Sequence, residues 1–314
     1  MSFFDYQGTE IVRDNVSGFD PWAVTDETAP SDMSTLAGYG AEDFVTNVYD
    51  ALKTAYPTYI TKSVIGKDAT DTYNIYQYIF EPDYPEQTIY FQAGVHGNEP
   101  DSWIGLGNLM RLICNHWEEH EWLAYLRWKC RIIVIPIVNV WGVSNNKTRF
   151  NANDVNLNRD LNDAAAQETV VMKANIAALK SAYDISFCLD FHTTESANWG
   201  GDAAIGCSST AKNVPITSLV AKSIAKKHCP DRLASYVSAH SLAADELYLP
   251  FWFNTSNDGT YVKYFMSLGY ICSTIEYGDY VYSDSLANAK TGRICLDVYA
   301  NHVIGLAMQK YNVA

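Results

Sequence analysis

Residues 88–117 read TIYFQAGVHGNEPDSWIGLGNLMRLICNHW, and this stretch decides the fold. TIYFQAGV is a short apolar strand. HGNEPDS halts it with polar residues and a proline, and WIGLGNLMRLICNHW has helical spacing. The same alternation recurs along the chain. ITKSVIGKDATDTYNIYQYIFEP (60–82) reads as two strands around a polar turn. RWKCRIIVIPIVNV holds a buried strand over 131–140. ETVVMKANIAALKSAY (168–183) is a helix and DISFCLDFH (184–192) the strand after it. VPITSLVAKSIAKKHC (214–229) is a further helix, residues 259–278 a helix followed by a strand, and 296–311 a closing helix. Upstream, residues 41–56 carry Phe44, Val48 and Leu52 on one helical face. Strands apolar on both faces call for a sheet sandwiched between helices. There is no internal repeat, low-complexity tract or linker, so residues 41–314 are read as one domain. Residues 1–40, rich in Asp, Ser, Thr, Gly and Pro, are read as an extended arm over it.

The chain has 314 residues and a formal net charge of −14, with no dense Lys/Arg run. Such a surface meets phosphate with like charge, which excludes nucleic acid and an anionic membrane as partners. No apolar stretch reaches membrane-spanning length. The seven cysteines form no CxxC pair, and several sit in apolar runs, as Cys188 does in SFCLDF. They read as buried free thiols. With no basic segment leading into an apolar one at the N-terminus, the expected setting is a reducing compartment, the cytoplasm.

Ligands in such folds bind beyond the carboxyl ends of strands. Three polar clusters lie at expected strand ends: His96–Gly97–Asn98–Glu99, Asp190–Phe191–His192 and Glu276–Tyr277–Gly278. His96 and Glu99, three apart at a strand-to-helix turn, can converge on one point. With His192 they make a His₂Glu set, the ligand set of a catalytic zinc site with its fourth position open. An HxxE alone is as readily a polar turn. Asp190 can hold the outer N–H of a histidine ligand if the chain turns back there. Glu276, closing the run YICSTI, is either a general base beside a metal or a buried carboxylate paired with an arginine. Asn158 and Arg159 lie in NANDVNLNRDLN, a loop whose amide and guanidinium suit a substrate carboxylate, or a solvated loop of Asx turns. Arg149 is either an oxyanion stabiliser or a surface residue.

HGNE after an apolar strand, then NLNR, then DFH, then TIEYG, in that order, resemble the zinc carboxypeptidase superfamily. That superfamily also contains the aspartoacylase and succinylglutamate desuccinylase deacylases. The resemblance runs from about residue 41 onward and includes SVIGKDATDTYNIYQYIF, similar to the segment before the family's zinc motif. It implies a three-layer α/β/α sandwich with a mixed, mostly parallel eight-stranded sheet. It implies one zinc ion held by His96, Glu99 and His192, with Glu276 as the catalytic carboxylate. Asn158 and Arg159 match the pair that grips a substrate's terminal carboxylate. Arg149 matches the oxyanion-stabilising arginine, at a shorter spacing to Asn158 than in digestive carboxypeptidases.

The implied reaction is hydrolysis of a C-terminal peptide or amide bond. Two alternatives stand beside it. DFHTTESANWGGD, TIEYG and the short span from Arg159 to His192 look closer to the deacylases, which would make an N-acyl amino acid the substrate. The layout, with 95 residues before His96 and 38 after Glu276, is that of a carboxypeptidase. A non-catalytic binding protein on the same fold is the second alternative. The mobile tyrosine of carboxypeptidases is expected near Asn254, with Tyr248 and Tyr261 nearby, and neither is assigned a role. His116 and His120, four apart on an expected helix, read as a solvated helix end. His228, His240 and His302 lack partners at ligand spacing.

Overall fold

A computed structural model of the chain describes residues 38–119, 121–193, 206–209, 251–252 and 258–277. Most of the expected arm, the helices at 214–229 and 296–311, His120, Tyr248, Asn254, Gly278, His228, His240 and His302 lie outside the described residues.

Helix α1 is built from three consecutive pieces, Ala41–Phe44, a π turn Val45–Asp50, and Ala51–Ala55. Strands β1 (Ile60–Lys67) and β2 (Asn74–Phe80) form the expected antiparallel pair. β3 (Gln87–Ala93), helix α2 (Pro100–Asn115), helix α3 (Glu121–Lys129) and β4 (Cys130–Ile135) follow. Then come a short helix α4 (Val140–Ser144), helix α5 (Gln167–Ala182) and β5 (Ile185–Thr193). The short segments β6 (Gly206–Ser209) and β7 (Phe251–Trp252) precede helix α6 (Tyr261–Ser267) and β8 (Ile271–Tyr277).

The body of the sheet has six strands in the order β1-β2-β4-β3-β5-β8, and β6 and β7 continue it past β8. β4, β3, β5 and β8 run parallel, while β1 and β2 are antiparallel additions at one edge. The sheet is mixed and mostly parallel, as expected; a count of eight is reached only with the two short segments.

Registered residues of neighbouring strands share a face. Tyr78, Val134, Phe91 and Leu189 form one row across four strands. Helices α1, α2 and α3 cover that face: the Tyr49 ring of α1 lies 5.0 Å from that of Tyr78, and α2 packs on β3 and β5. Helix α2 is buried almost throughout, as an apolar helix wedged between a sheet and other helices must be. On the opposite face Tyr90, Cys188 and Cys272 form a parallel row. Helix α6 covers it, with the Phe265 ring 5.5 Å from Tyr90 and the Cys272 thiol donating to the Val262 carbonyl. Helix α5 covers the β1–β2 side of this face, where Asn175 donates to Gln77. These are the three expected layers.

Two readings are corrected. The strand expected over 131–140 ends at Ile135. Pro136 has no N–H for the ladder, and the apolar residues beyond it lead into α4. The helix expected to carry His116 stops there: His116 is the C-cap of α2, and a 3₁₀ turn follows at Trp117–Glu119. Cys114, Cys130, Cys188 and Cys272 are buried free thiols. Among the described residues no helix is long and apolar enough to cross a membrane.

Candidate metal centre

The carboxyl ends of β3, β5 and β8 lie side by side because these strands are parallel and in register. The crevice rule for α/β sheets puts a site at that edge. β3 is followed by the HGNE turn, and Glu99 caps α2 with Pro100 at the first helical position. The Glu99 side chain makes no capping hydrogen bond and turns toward the end of β5. Gly97 allows this turn to sit down. A Cβ there would come within 2.3 Å of the Gly142 carbonyl carbon and 2.4 Å of the Thr148 oxygen, so only a glycine lets the two backbones meet.

His96, Glu99 and His192 come together, all buried, with potential ligand atoms within 4.8 Å of one another. His96 Nδ1 is 2.7 Å from Glu99 Oε1, and His192 Nδ1 is 2.9 Å from Glu99 Oε2. The two rings are 4.9 Å apart. The Thr193 N–H donates to Glu99 Oε2 and the Arg149 guanidinium to Oε1.

The outer nitrogens of both imidazoles are taken. His96 Nε2 lies 3.0 Å from Asn156 Oδ1, and the Asn158 backbone N–H also donates to that atom. A second donor identifies it as the oxygen, so His96 Nε2 carries the hydrogen. His192 Nε2 lies 2.9 Å from Asp190 Oδ2, and a carboxylate facing an imidazole nitrogen calls for N–H there. Both rings therefore turn Nδ1 inward, toward Glu99. Three inward-facing donors with their outer hydrogen bonds in place could hold a metal ion and leave a further position open.

The charges fit the same reading. Burial acts to raise the Glu99 carboxyl, but the two histidines outweigh it and hold it well below the usual carboxylate range. Burial holds His96 below the ordinary imidazole value, against the pull of Glu99. Burial works in the same direction on His192, yet Asp190 and Glu99 together hold it well above that value. The pair thus favours a cation between His192 and Glu99, and a metal bound there would displace protons.

Asp190 reaches His192 without the chain turning back, which corrects the sequence reading. Residues two apart on a strand project from the same face, so a straight β5 suffices. Asn158 is buried, its oxygen accepting the Tyr261 N–H and its amide nitrogen 3.3 Å from His192 Nε2. Arg159 is exposed, its guanidinium donating to the Asn158 carbonyl oxygen. Gly259, at φ +76°, brings the α6 side against this loop: a Cβ there would lie 2.4 Å from the Arg159 oxygen. The backbone of Glu276 is in register with that of His192 on the next strand. The Tyr261 ring is fully buried and packs against Phe265. Asn156 and Gln92 were missed from the sequence. Asn156 stands two residues before Asn158 within NLNR, and that spacing was its available signal; Gln92 had none beyond a polar residue inside an apolar strand.

Solved structures of similar fold include a metallo-carboxypeptidase from Burkholderia cenocepacia (16% identity, 83% of this chain and 69% of that one, TM-score 0.57). Thrombin activatable fibrinolysis inhibitor matches at 14% identity, 90% of this chain, 77% of that one and TM-score 0.64. The carboxypeptidase A from Helicoverpa armigera matches at 14% identity, 88% of this chain, 75% of that one and TM-score 0.59. At these identities the likeness is one of fold. A search of curated protein sequences gives no significant match. The zinc carboxypeptidase family model matches residues 45–261, well over half of the chain and a span that contains all three converging side chains, and the chain accordingly belongs to the zinc carboxypeptidase family.

Proposed function

We propose that the chain is a metallocarboxypeptidase that hydrolyses a C-terminal peptide or amide bond. Membership of the family supports a metallohydrolase. The observation that carries the finer reading is the pair of imidazoles turning Nδ1 onto one buried carboxylate, their outer nitrogens held by Asn156 and Asp190. In this reading His96, Glu99 and His192 hold one zinc ion, whose Lewis acidity makes water a nucleophile near neutral pH. Glu276 takes the proton of the attacking water and hands it to the leaving nitrogen as the C–N bond breaks. Its register beside His192 supports that role. Arg149, whose guanidinium is 2.9 Å from Glu99, stabilises the charge that develops on the carbonyl oxygen. Arg159, exposed on its loop, takes the substrate carboxylate with Asn158 beside it. The buried free thiols support a reducing, cytoplasmic setting.

The test is metal content together with activity on C-terminal peptides and N-acyl amino acids, before and after chelation. One equivalent of zinc and chelator-sensitive release of a C-terminal residue are expected. Release of an acyl group from small substrates would instead make it a deacylase, and metal-bound protein inert on both panels would make it a binding protein. Glu276→Gln should keep its zinc and lose turnover; near-normal activity in that variant would remove Glu276 from the mechanism.

A further inference from the structure

Behind the candidate metal centre a buried hydrogen-bond chain runs on past Asp190 to Gln92 and Tyr90, two residues outside both the family's ligand set and the sequence motifs. Asp190 Oδ2 faces His192 Nε2, and its other oxygen, Oδ1, accepts from Gln92 Nε2 at 3.0 Å. Gln92 Oε1 in turn accepts from the Tyr90 hydroxyl at 2.9 Å. Tyr90, Gln92, Asp190 and His192 are each 0–1% exposed.

The direction of every bond in this chain follows from one fact: an ionised carboxylate only accepts. Gln92 must present its NH₂ to Asp190, because its oxygen there would set two buried acceptors against each other. That leaves Gln92 Oε1 toward Tyr90, whose hydroxyl must donate. On its other side the carboxylate takes the Nε2–H of His192. The chain thus sets the hydrogen on Nε2 and leaves the Nδ1 lone pair, on the Glu99 side, to ligate a metal. Its parts sit on rigid elements. Gln92 and Asp190 are paired in register on adjacent parallel strands, and Tyr90 stands two residues before Gln92 on the same face. Phe265 of α6 packs edge-on against the Tyr90 ring.

We propose that Gln92 is a positioning residue for the metal centre: through Asp190 it sets the tautomer and tilt of His192, and Tyr90 holds Gln92 in the donating orientation. This rests on the reading of His192 as a ligand. Without Gln92 the Asp190 carboxylate loses its second buried donor and is free to rotate away from the imidazole plane.

The test compares wild type, Gln92→Met, which keeps the bulk and removes the donor, and Tyr90→Phe, which removes one hydroxyl. Zinc affinity of the metal-free protein is measured by competition with a chromophoric chelator. The visible spectrum of the cobalt-substituted protein and the melting of the metal-free protein are recorded alongside. Loss of such outer partners typically weakens metal binding about 10–100-fold, and Gln92→Met should fall in that range with altered cobalt bands. Tyr90→Phe, acting one bond further away, should lose less but move the same bands. Wild-type zinc affinity and cobalt bands in Gln92→Met would overturn the proposal, whatever its melting temperature, and leave the metal-centre reading intact. Wild-type protein that takes up no zinc would instead sink that reading and this inference with it. Should Gln92→Met fail to fold, Tyr90→Phe decides: unchanged affinity and cobalt bands there overturn the proposal.

Discussion

The candidate metal centre has two halves that order their side chains by different means. The strand half is His192, Asp190 and Gln92, set by the register of β3 and β5. The loop half is His96, Glu99, Arg149, Asn156 and Asn158, carried on the turns after β3 and α4 and held by side-chain hydrogen bonds and one backbone N–H. In both, the outer nitrogen of an imidazole is occupied so that Nδ1 faces inward. The strand half uses a buried carboxylate for this and the loop half a neutral amide. One consequence is visible in the histidines: His192 is held above the ordinary imidazole value and His96 below it. A charge can be held dry in the sheet because β3 and β5 supply its donors from fixed positions. In the loops an amide that both donates and accepts tolerates small shifts of its neighbours.

The largest effect should come from the group that joins the halves. Glu99→Gln removes the carboxylate that both Nδ1 atoms face, and stoichiometric zinc should be lost on dialysis, as read by metal analysis of the purified protein. Retention of a full equivalent would mean the two histidines do not share a metal through Glu99.

Next in size is the contrast itself. Asp190→Asn leaves one amide oxygen where His192 and Gln92 both donate, and Asn156→Ala leaves His96 Nε2–H without its acceptor. Both should weaken zinc within the ~10–100-fold range for outer partners, Asp190→Asn toward the upper end and Asn156→Ala toward the lower. The ordering follows because hydrogen bonds to charged groups are worth more than those between neutral ones. Equal losses in a chelator competition would erase the distinction between the halves.

The smallest expected effect lies in the loop scaffold. Gly97→Ala forces the HGNE turn away from Gly142 and Thr148, where backbone rather than a pliant side chain would have to give. A cost of roughly 1–3 kcal/mol is expected for such overpacking, read in thermal melting of the metal-free protein. A melting curve matching wild type would show that the two turns are not packed backbone to backbone.

Much of this was legible before any tertiary contact was known. The alternation of apolar strands and helices pointed to a sheet between helices, because a strand buried on both faces has no other way to be covered. The convergence of His96, Glu99 and His192 was legible because polar residues ending apolar runs stand out, and strand ends lie side by side in such a sheet. The misreadings have local causes. The apolar run over 131–140 outlasts its strand, because Pro136 stops the ladder after Ile135. Asp190 needs no turn to reach His192, because the two-residue period of a strand already puts both on one face.

The sequence by itself determined which elements form and which residues end them, since periodicity, proline and polar breaks act over a few neighbours. Only the tertiary structure decided what those residues meet. Asn156 on His96, Arg149 on Glu99 and Gln92 on Asp190 are pairs 50 to 98 residues apart in sequence, and no local pattern records them. They exist because strand register and loop closure bring distant segments within hydrogen-bond reach. Once buried there, a polar group must find a partner.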